Sequence, residues 1–432
     1  MYYGKYGKFN IKLMSLYDKA SLALIPSGTK ASTLYSVLPA NGNGDFTHTR
    51  GSTATRVNKD GLIESVASNV PRLDYPLIDG VVQDCPTLLL EPSRTNLATY
   101  SEDFYLWSSG STYVTRDQAI SPDGNLTSDL FAKTTSFQNI QKTATVVSGS
   151  DYSFSIFVKA NTISGITLRL ASGSYDVRKY LNLEDLSVSN AGGNQTGFIG
   201  SKVEEYPNDW YRYTITATSN ATTQYLNVYV GNGTVAESGS IYIWGAQFEL
   251  GDYPTSYIPT TSSTVTRNAD ECNGAGTSAE FNDSEGVLFV EFAALDNDLT
   301  HRRIAISDGT TSNLVYVSFD TTSNRILANA NGRIMIYVTE DETQFQKVAV
   351  YYNATAPKLY VNGFLRETET AMTAITGLSE LAFDNGIGSN DFYGKTKQLM
   401  TFNEALTDSE LEQVTSWTSF GEMAKGQLYT IE

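Results

Sequence analysis

The sequence predicts an all-β protein: two consecutive antiparallel, jelly-roll-like β-sandwich domains preceded by a mostly irregular N-terminal arm. Three observations carry that prediction. Short runs of alternating apolar and polar residues recur from about Leu88 onward, and Gly/Asn/Ser turns separate them. Charged residues make up only 18% of the 432 residues, against roughly 25% in an average globular chain. Ser, Thr, Asn, Gly and Tyr fill the difference, and β-branched and aromatic side chains suit a pleated, half-buried surface.

Residues 1–75 offer little apolar material for a core of their own. A short helix is expected around Met14 to Leu24, with Ser15 and Asp18 as caps. Turn signals follow at Ser27-Gly28, Asn41 to Asp45 and Lys59-Asp60-Gly61, around short strands at Ala54 to Asn58 and Leu62 to Val66. This segment therefore reads as an arm or anchor that packs on a neighbour or another subunit. Residues 76–251 form the first sandwich. There Tyr152, Phe154, Ile156 and Val158 share one face, as do Ile166, Leu168 and Leu170, then Tyr211, Tyr213 and Ile215, then Leu226, Val228 and Val230, with a further strand from Ile241 to Phe248. Residues 252–270, with Pro254 and Pro259, read as an extended connector. Residues 271–432 form the second sandwich, with strands at Gly286 to Phe292, Arg303 to Ser307, Leu314 to Phe319, Arg325 to Ala328, Arg333 to Val338, Gln346 to Tyr352 and Lys358 to Val361. Asn362-Gly363 is a two-residue hairpin turn. Thr407 or Asp408 caps a short helix running to about Trp417.

A net charge of −17 repels phosphate backbones and anionic membrane surfaces, so neither a nucleic acid nor membrane insertion is expected. No secretory signal and no stretch of about 18 apolar residues is expected either. Cys85 and Cys272 lie near the edges of the first sandwich. A bridge between them is geometrically conceivable, but two cysteines specify no framework, and two free thiols are the simpler reading.

Two strings are distinctive. Leu88-Leu89-Leu90-Glu91-Pro92-Ser93-Arg94-Thr95-Asn96-Leu97 leads to Tyr100-Ser101-Glu102-Asp103-Phe104 and Trp107. Ile241 to Gly251 leads to Thr255-Ser256-Tyr257-Ile258-Pro259-Thr260. With Trp210-Tyr211-Arg212 between them, and Ala54 to Leu62 and Pro71 to Tyr75 ahead, they resemble a carbohydrate-binding-module-like sandwich recurrent in phage virion and tail-associated proteins. Leu359 to Gly363 and Phe402 to Thr407 are similar to laminin-G-like and concanavalin-like lectin sandwiches. The resemblance implies a non-enzymatic appendage of the virion, a fibre, tail or head decoration. It would attach to other virion proteins through the arm, bind host surface glycans, and assemble as a homo-oligomer, with a trimer favoured. A purely structural virion subunit and a polysaccharide depolymerase are the alternatives.

Sugar recognition needs aromatic faces flanked by amides and hydroxyls. Tyr225, Asn227 and Tyr229 alternate with the aliphatic set and so project together, and Trp107 sits in a polar loop; these four are the glycan-binding candidates. No cofactor is required by the pattern. Calcium is the metal that hard oxygen ligands would hold, with Glu102, Asp103 and Glu249 in the first sandwich and Asp384, Asn385 and Asp391 in the second as candidate ligands, although neither set has diagnostic spacing. No catalytic residue is assigned, because a glycosidase needs paired carboxylates. Glu291 stands alone, and Glu340-Asp341-Glu342 reads as a loop.

Overall fold

The structure, a computed structural model, describes residues 16–135, 138–232 and 238–417. Antiparallel sheets dominate it, as the alternation predicts. They sort into two sandwiches, but one is inserted into the other. The inserted sandwich pairs a six-stranded sheet, in the order Val114–Ile120, Leu126–Lys133, Gly239–Leu250, Asp151–Ala160, Trp210–Thr218 and Phe198–Tyr206, with a five-stranded sheet. The second sheet runs Asn139–Thr145, Thr223–Val230, Gly165–Ser172, Tyr175–Asn182 and Val188–Gly193. Phe154, Ile156, Val158, Ile166, Leu168, Leu170, Tyr213, Ile215, Leu226, Val228 and Val230 meet between them, the face that period two assigns to the core.

The enclosing sandwich corrects the expected arm. Its larger sheet is built from Glu285–Ala294, Gln346–Asn353, Lys358–Val361, Phe364–Thr368 and Gly394–Phe402, but also from Arg72–Asp74, Thr87–Leu90 and Leu22–Leu24. Leu22 to Leu24 pair with Thr401 to Leu399, and Leu88 to Leu90 pair with Thr396 to Gly394. Opposite lies the sheet Arg333–Val338, Arg325–Ala330, Leu314–Phe319, Arg302–Ser307 and Glu380–Ala382. Leu22, Leu24, Leu34, Phe46, Leu88 and Leu90 fill the same core as Leu288, Phe292, Phe319 and Leu399. Residues of the expected arm therefore complete this core instead of standing free of it, and the two sandwiches are nested, not consecutive. The helix expected over Met14 to Leu24 is overturned at its C-terminal end, where Leu22–Leu24 is a buried strand whose unbroken apolar run suits a sheet covered on both faces. Met14 and Ser15 lie outside the described residues.

The C-terminal helix, Asp408–Thr415, has Thr407 as N-cap, with Glu410 closing a capping box. Its Leu411 and Val414 pack with Leu16, Ala20 and Ala23 on the back of the large sheet. Asn362 and Gly363 take positive φ (52° and 84°) at the expected hairpin. Cys85 is exposed, Cys272 is buried, and both are free thiols. Among the described residues no helix is long and apolar enough to cross a membrane.

The chain leaves the enclosing sandwich after Leu90 and returns near Asp270, and the two crossings lie side by side. Arg94–Asn96 pairs with Val265–Arg267, so the expected connector is partly a strand. Around this joint Arg50, Arg72, Arg267, Glu91, Asp270 and His48 are all buried. Arg72 bonds Glu91 at 2.5 Å and also Asp270; Arg267 lies 2.8 Å from Glu91, and Arg50 3.0 Å from Asp270. Buried charges are tolerable when paired and hydrogen-bonded in this way. Beside the joint, Ile63, Phe157, Trp210, Trp244 and Tyr257 form an apolar cluster that seals the six-stranded sheet against the Ala54–Val57 and Ile63–Val66 hairpin.

Candidate functional site

The outer face of the five-stranded sheet is where the strand pattern gathers polar and aromatic groups. Register places Gln141, Asn227, Arg169 and Arg178 in one row across four strands. Thr143, Tyr225, Ala171 and Asp176 form the row on one side, and Asn139, Tyr229, Thr167 and Tyr180 the row on the other. The middle row is fixed by its own bonds. Arg169 donates to Asp176 at 2.8 and 3.3 Å and Arg178 donates to it at 3.0 and 2.8 Å. Asn227 accepts from Arg169 at 3.1 Å and donates to Gln141 at 3.0 Å. Burial pushes the Asp176 carboxyl up, but the hydrogen bonds from Arg178 and Arg169 outweigh it and bring it down to about 2. The carboxylate therefore stays charged and holds both guanidinium planes. Two arginines on one aspartate leave a local excess of one positive charge. In the neighbouring row the small Ala171, itself buried, lies between Tyr225 and Asp176.

The expected platform is thus on one face, as alternation requires, but only part of it is open. Tyr225 is 41% exposed, whereas Tyr229 is 7% and Asn227 1% exposed. Asn227 spends its amide on Arg169 and Gln141, and so cannot serve as the free donor and acceptor between two stacking rings. Trp107 is not an exposed loop residue: its indole is buried in the core against Phe104, centroids 5.1 Å apart, and donates to Tyr100 O at 3.1 Å.

The candidate calcium ligands are engaged within the protein. Glu102 accepts from Tyr257 Oη at 2.9 Å, and Asp103 takes a bidentate pair from Arg116 at 2.7 and 2.8 Å. Glu249 is buried and accepts from Gln247 and from the backbone and hydroxyl of Thr255 at 2.5, 2.9 and 2.6 Å, which stabilises the turn that follows its strand. Asp384 accepts from Gly386 N, Asn385 from Ile387 N and Ser389 N, and Asp391 from Tyr393 Oη. Among the described residues no group of three or more His, Cys, Asp or Glu side chains is placed to hold a metal ion. The donor set does not fit the calcium expectation.

Arg169, Arg178, Gln141 and Ala171 escaped the sequence reading. Arg169 was within reach, since it alternates with Leu168 and Leu170. Arg178 was hidden because Lys179 breaks the apolar alternation of Val177 and Leu181; its ammonium turns inward to Asn190 Oδ1 at 2.6 Å, over the Phe198 ring.

No protein-family model matches the chain. No curated protein matches it either. Among solved structures it is similar to a CBM40 of the Ruminococcus gnavus IT-sialidase bound to α2,3 sialyllactose, at 16% identity and a TM-score of 0.27, over 32% of this chain and 84% of that one. It is also similar to a Trypanosoma rangeli sialidase in complex with the inhibitor DANA (11% identity, TM-score 0.29, 63% of this chain and 53% of that chain). A third is mouse laminin α1 chain, domains LG4-5 (12% identity, TM-score 0.23, 62% of this chain and 87% of that chain). Likeness at these TM-scores carries no weight for ligand or activity, which rest on the residues themselves.

Proposed function

We propose that the protein is a non-enzymatic glycan-binding protein whose site is the outer face of the five-stranded sheet. The observation that carries this reading is the open Tyr225 ring in the row beside Arg169 and Arg178, which are held on Asp176. Tyr225 offers the stacking surface, and the prearranged guanidiniums and the Gln141 amide supply donors to ring hydroxyls or to a sugar carboxylate. Glu291, the lone strand acid of the second sandwich that the sequence singles out, is buried, accepts from Gln398 at 2.7 Å and has Lys347 and Lys397 at 3.9 and 3.7 Å, which supports a structural role for it.

Within this reading the protein is an external virion appendage that presents its sandwiches to host surface glycans as a homo-oligomer, where linked weak sites gain effective concentration. Support for the virion setting is the resemblance of the Leu88 to Leu97 and Ile241 to Thr260 strings. Attachment through a free arm is no longer part of the proposal, because Leu22, Leu24, Leu34 and Phe46 are core residues. A shallow site of this kind is expected to bind at about 0.1–1 mM. Titrating a panel of host-surface oligosaccharides should give binding that Tyr225→Ala abolishes and Arg178→Gln weakens about tenfold, with melting temperature nearly unchanged for Tyr225→Ala. Undiminished binding in both variants overturns the assignment of this face.

A further inference from the structure

Where the two sandwiches meet, a cavity of about 490 Å³ opens beside the joint. Among the segments that line it are Asp74 to Asp79 after the Arg72–Asp74 strand, Lys202 to Tyr206 and Arg212 of the inserted sandwich, and Thr343 to Phe345 with Lys395 of the enclosing one. Phe198–Tyr206 is the edge strand of the six-stranded sheet, so its side chains project where the two bodies face each other. The volume falls within the usual range for small-molecule sites, which occur preferentially at domain junctions.

The polar groups facing this cavity are incompletely satisfied in a specific way. Arg212 is 4% exposed; it donates to Ser155 Oγ at 3.3 and 3.0 Å, lies over the Phe157 ring and meets the Tyr206 hydroxyl. Glu204, opposite it on the neighbouring strand, is its electrostatic partner, although among the described residues no carboxylate stands within ion-pair distance of it. A buried guanidinium with no carboxylate in direct contact keeps part of its desolvation cost. Glu204 engages Lys202 through Oε1 at 3.1 Å, but its Oε2 is enclosed and has no hydrogen-bond partner. Gln344 Oε1 is likewise enclosed and unpartnered. Lys395 Nζ stands 3.7 Å from Asp74, too far for a full hydrogen bond. The cavity therefore presents one guanidinium with no carboxylate in direct contact and two acceptors in want of O–H or N–H donors.

We propose that this cavity binds a small polyhydroxylated carboxylate of the sugar-acid class. Its carboxylate pairs with Arg212, its hydroxyls donate to Glu204 and Gln344, and Lys202 and Lys395 flank it. A carboxylate supplies the direct charged contact that the guanidinium lacks, and a polyol is the ligand type that brings several donors in a body small enough for the space. Because the site draws on both sandwiches, an occupant also ties them together. This site is distinct from the sheet face and does not depend on it.

The test uses the full chain, with sodium glucuronate as probe and glucose and sodium acetate at matched ionic strength as controls, followed by calorimetric titration and thermal shift. Glucuronate should bind saturably and raise the melting temperature, glucose should bind at least about tenfold more weakly, and acetate should give no saturable shift. Arg212→Gln should weaken glucuronate by about tenfold or more. Since Arg212 is buried and its replacement can disturb folding, Gln344→Trp provides a second variant that fills the mouth from a half-exposed loop and should also abolish binding. Tyr225→Ala, which strips the sheet face, should leave glucuronate binding intact. The proposal falls if glucuronate does not bind saturably, if Gln344→Trp binds it as well as the parent, or if Tyr225→Ala alone removes it; the last result would move the ligand to the sheet face.

Discussion

At the scale of single residues, burial separates side chains that sequence periodicity treats alike. Tyr225, Asn227 and Tyr229 share a face by strand geometry, but what covers them comes from strands remote in sequence: Arg169 is 58 residues from Asn227, and Gln141 is 86 residues away. No local pattern announces those partners. Trp107 was misplaced for the converse reason, since its polar neighbours Ser108, Ser109 and Gly110 describe the loop and not the ring, which fills the end of the core. The difference between Tyr225 and Asn227 is measurable. Asn227→Ala strands Arg169 Nη1 and Gln141 Oε1, so it should cost about 1–3 kcal/mol in the urea unfolding of the inserted sandwich. Tyr225→Ala, at an open position 41% exposed, should change that transition by no more than about 0.5 kcal/mol. Equal losses in the two variants would mean that the face is held together by packing instead of by the Gln141–Asn227–Arg169 chain of bonds.

At the scale of elements, the strings that looked most like a family signature turn out to build the joint. Glu91 and Arg94 from the opening string, Gln247 and Glu249 from the closing one, and Arg72 from the lead-in all make buried or junction contacts. Sequence reading found these residues, and it placed the long alternating strands of both sandwiches, because turn chemistry and period two are local. It could not find their purpose, which is to lock two crossings of the chain 170 or more residues apart, as in Arg72 to Asp270 (198 residues). The lock has an electrostatic signature. Burial pushes the Glu91 carboxyl up, but Arg267 and Arg72 outweigh it and hold it at about 2. Asp270 is likewise kept well below the carboxylate range, with Arg72, His48 and Arg50 overriding burial. A carboxyl depressed in the folded state stabilises it fully above the unfolded pKa, near ~4.3 for Glu, and that contribution is lost as pH falls toward the folded value. Stability should therefore be insensitive to this network above about pH 5 and should drop steeply below about pH 4. Arg72→Met leaves Glu91 and Asp270 short of their main counter-charge; it should cost about 3–5 kcal/mol at neutral pH and move the acid unfolding limb upward. An acid limb unchanged in Arg72→Met would show that other carboxyls govern it.

At the scale of the whole molecule, nesting decides which pieces can stand alone. Sequence reading proceeds along the chain, so it divided 432 residues into an arm and two successive sandwiches. Strand donation from Leu22–Leu24 to Thr401 leaves no trace in either segment beyond a short apolar run. The observed topology reverses what truncation should do. Removing residues 1–75 takes Leu22, Leu24, Leu34 and Phe46 out of the enclosing core, as well as Arg50 and Arg72 out of the joint. Large-to-nothing losses at fully buried positions cost several kcal/mol each, more than the stability of a typical domain can absorb together. The 76–432 fragment should be aggregated or show no cooperative unfolding of the enclosing sandwich. Removing the insert is the milder operation, although it is far larger. Arg94 and Arg267 are paired neighbours, and Ser93 Oγ already donates to Arg267 O at 3.2 Å, so a short Gly/Ser bridge from Ser93 to Arg267 spans the gap without moving either strand. All strands of both enclosing sheets and their shared core remain. The cost is the face that Ile63 and the Glu91–Ser256 bonds lose, so the bridged chain should be soluble and cooperative, but less stable than the parent. Circular dichroism and urea titration of the two truncations side by side provide the measurement. A folded 76–432 fragment together with an unfolded bridged chain would overturn the nested arrangement.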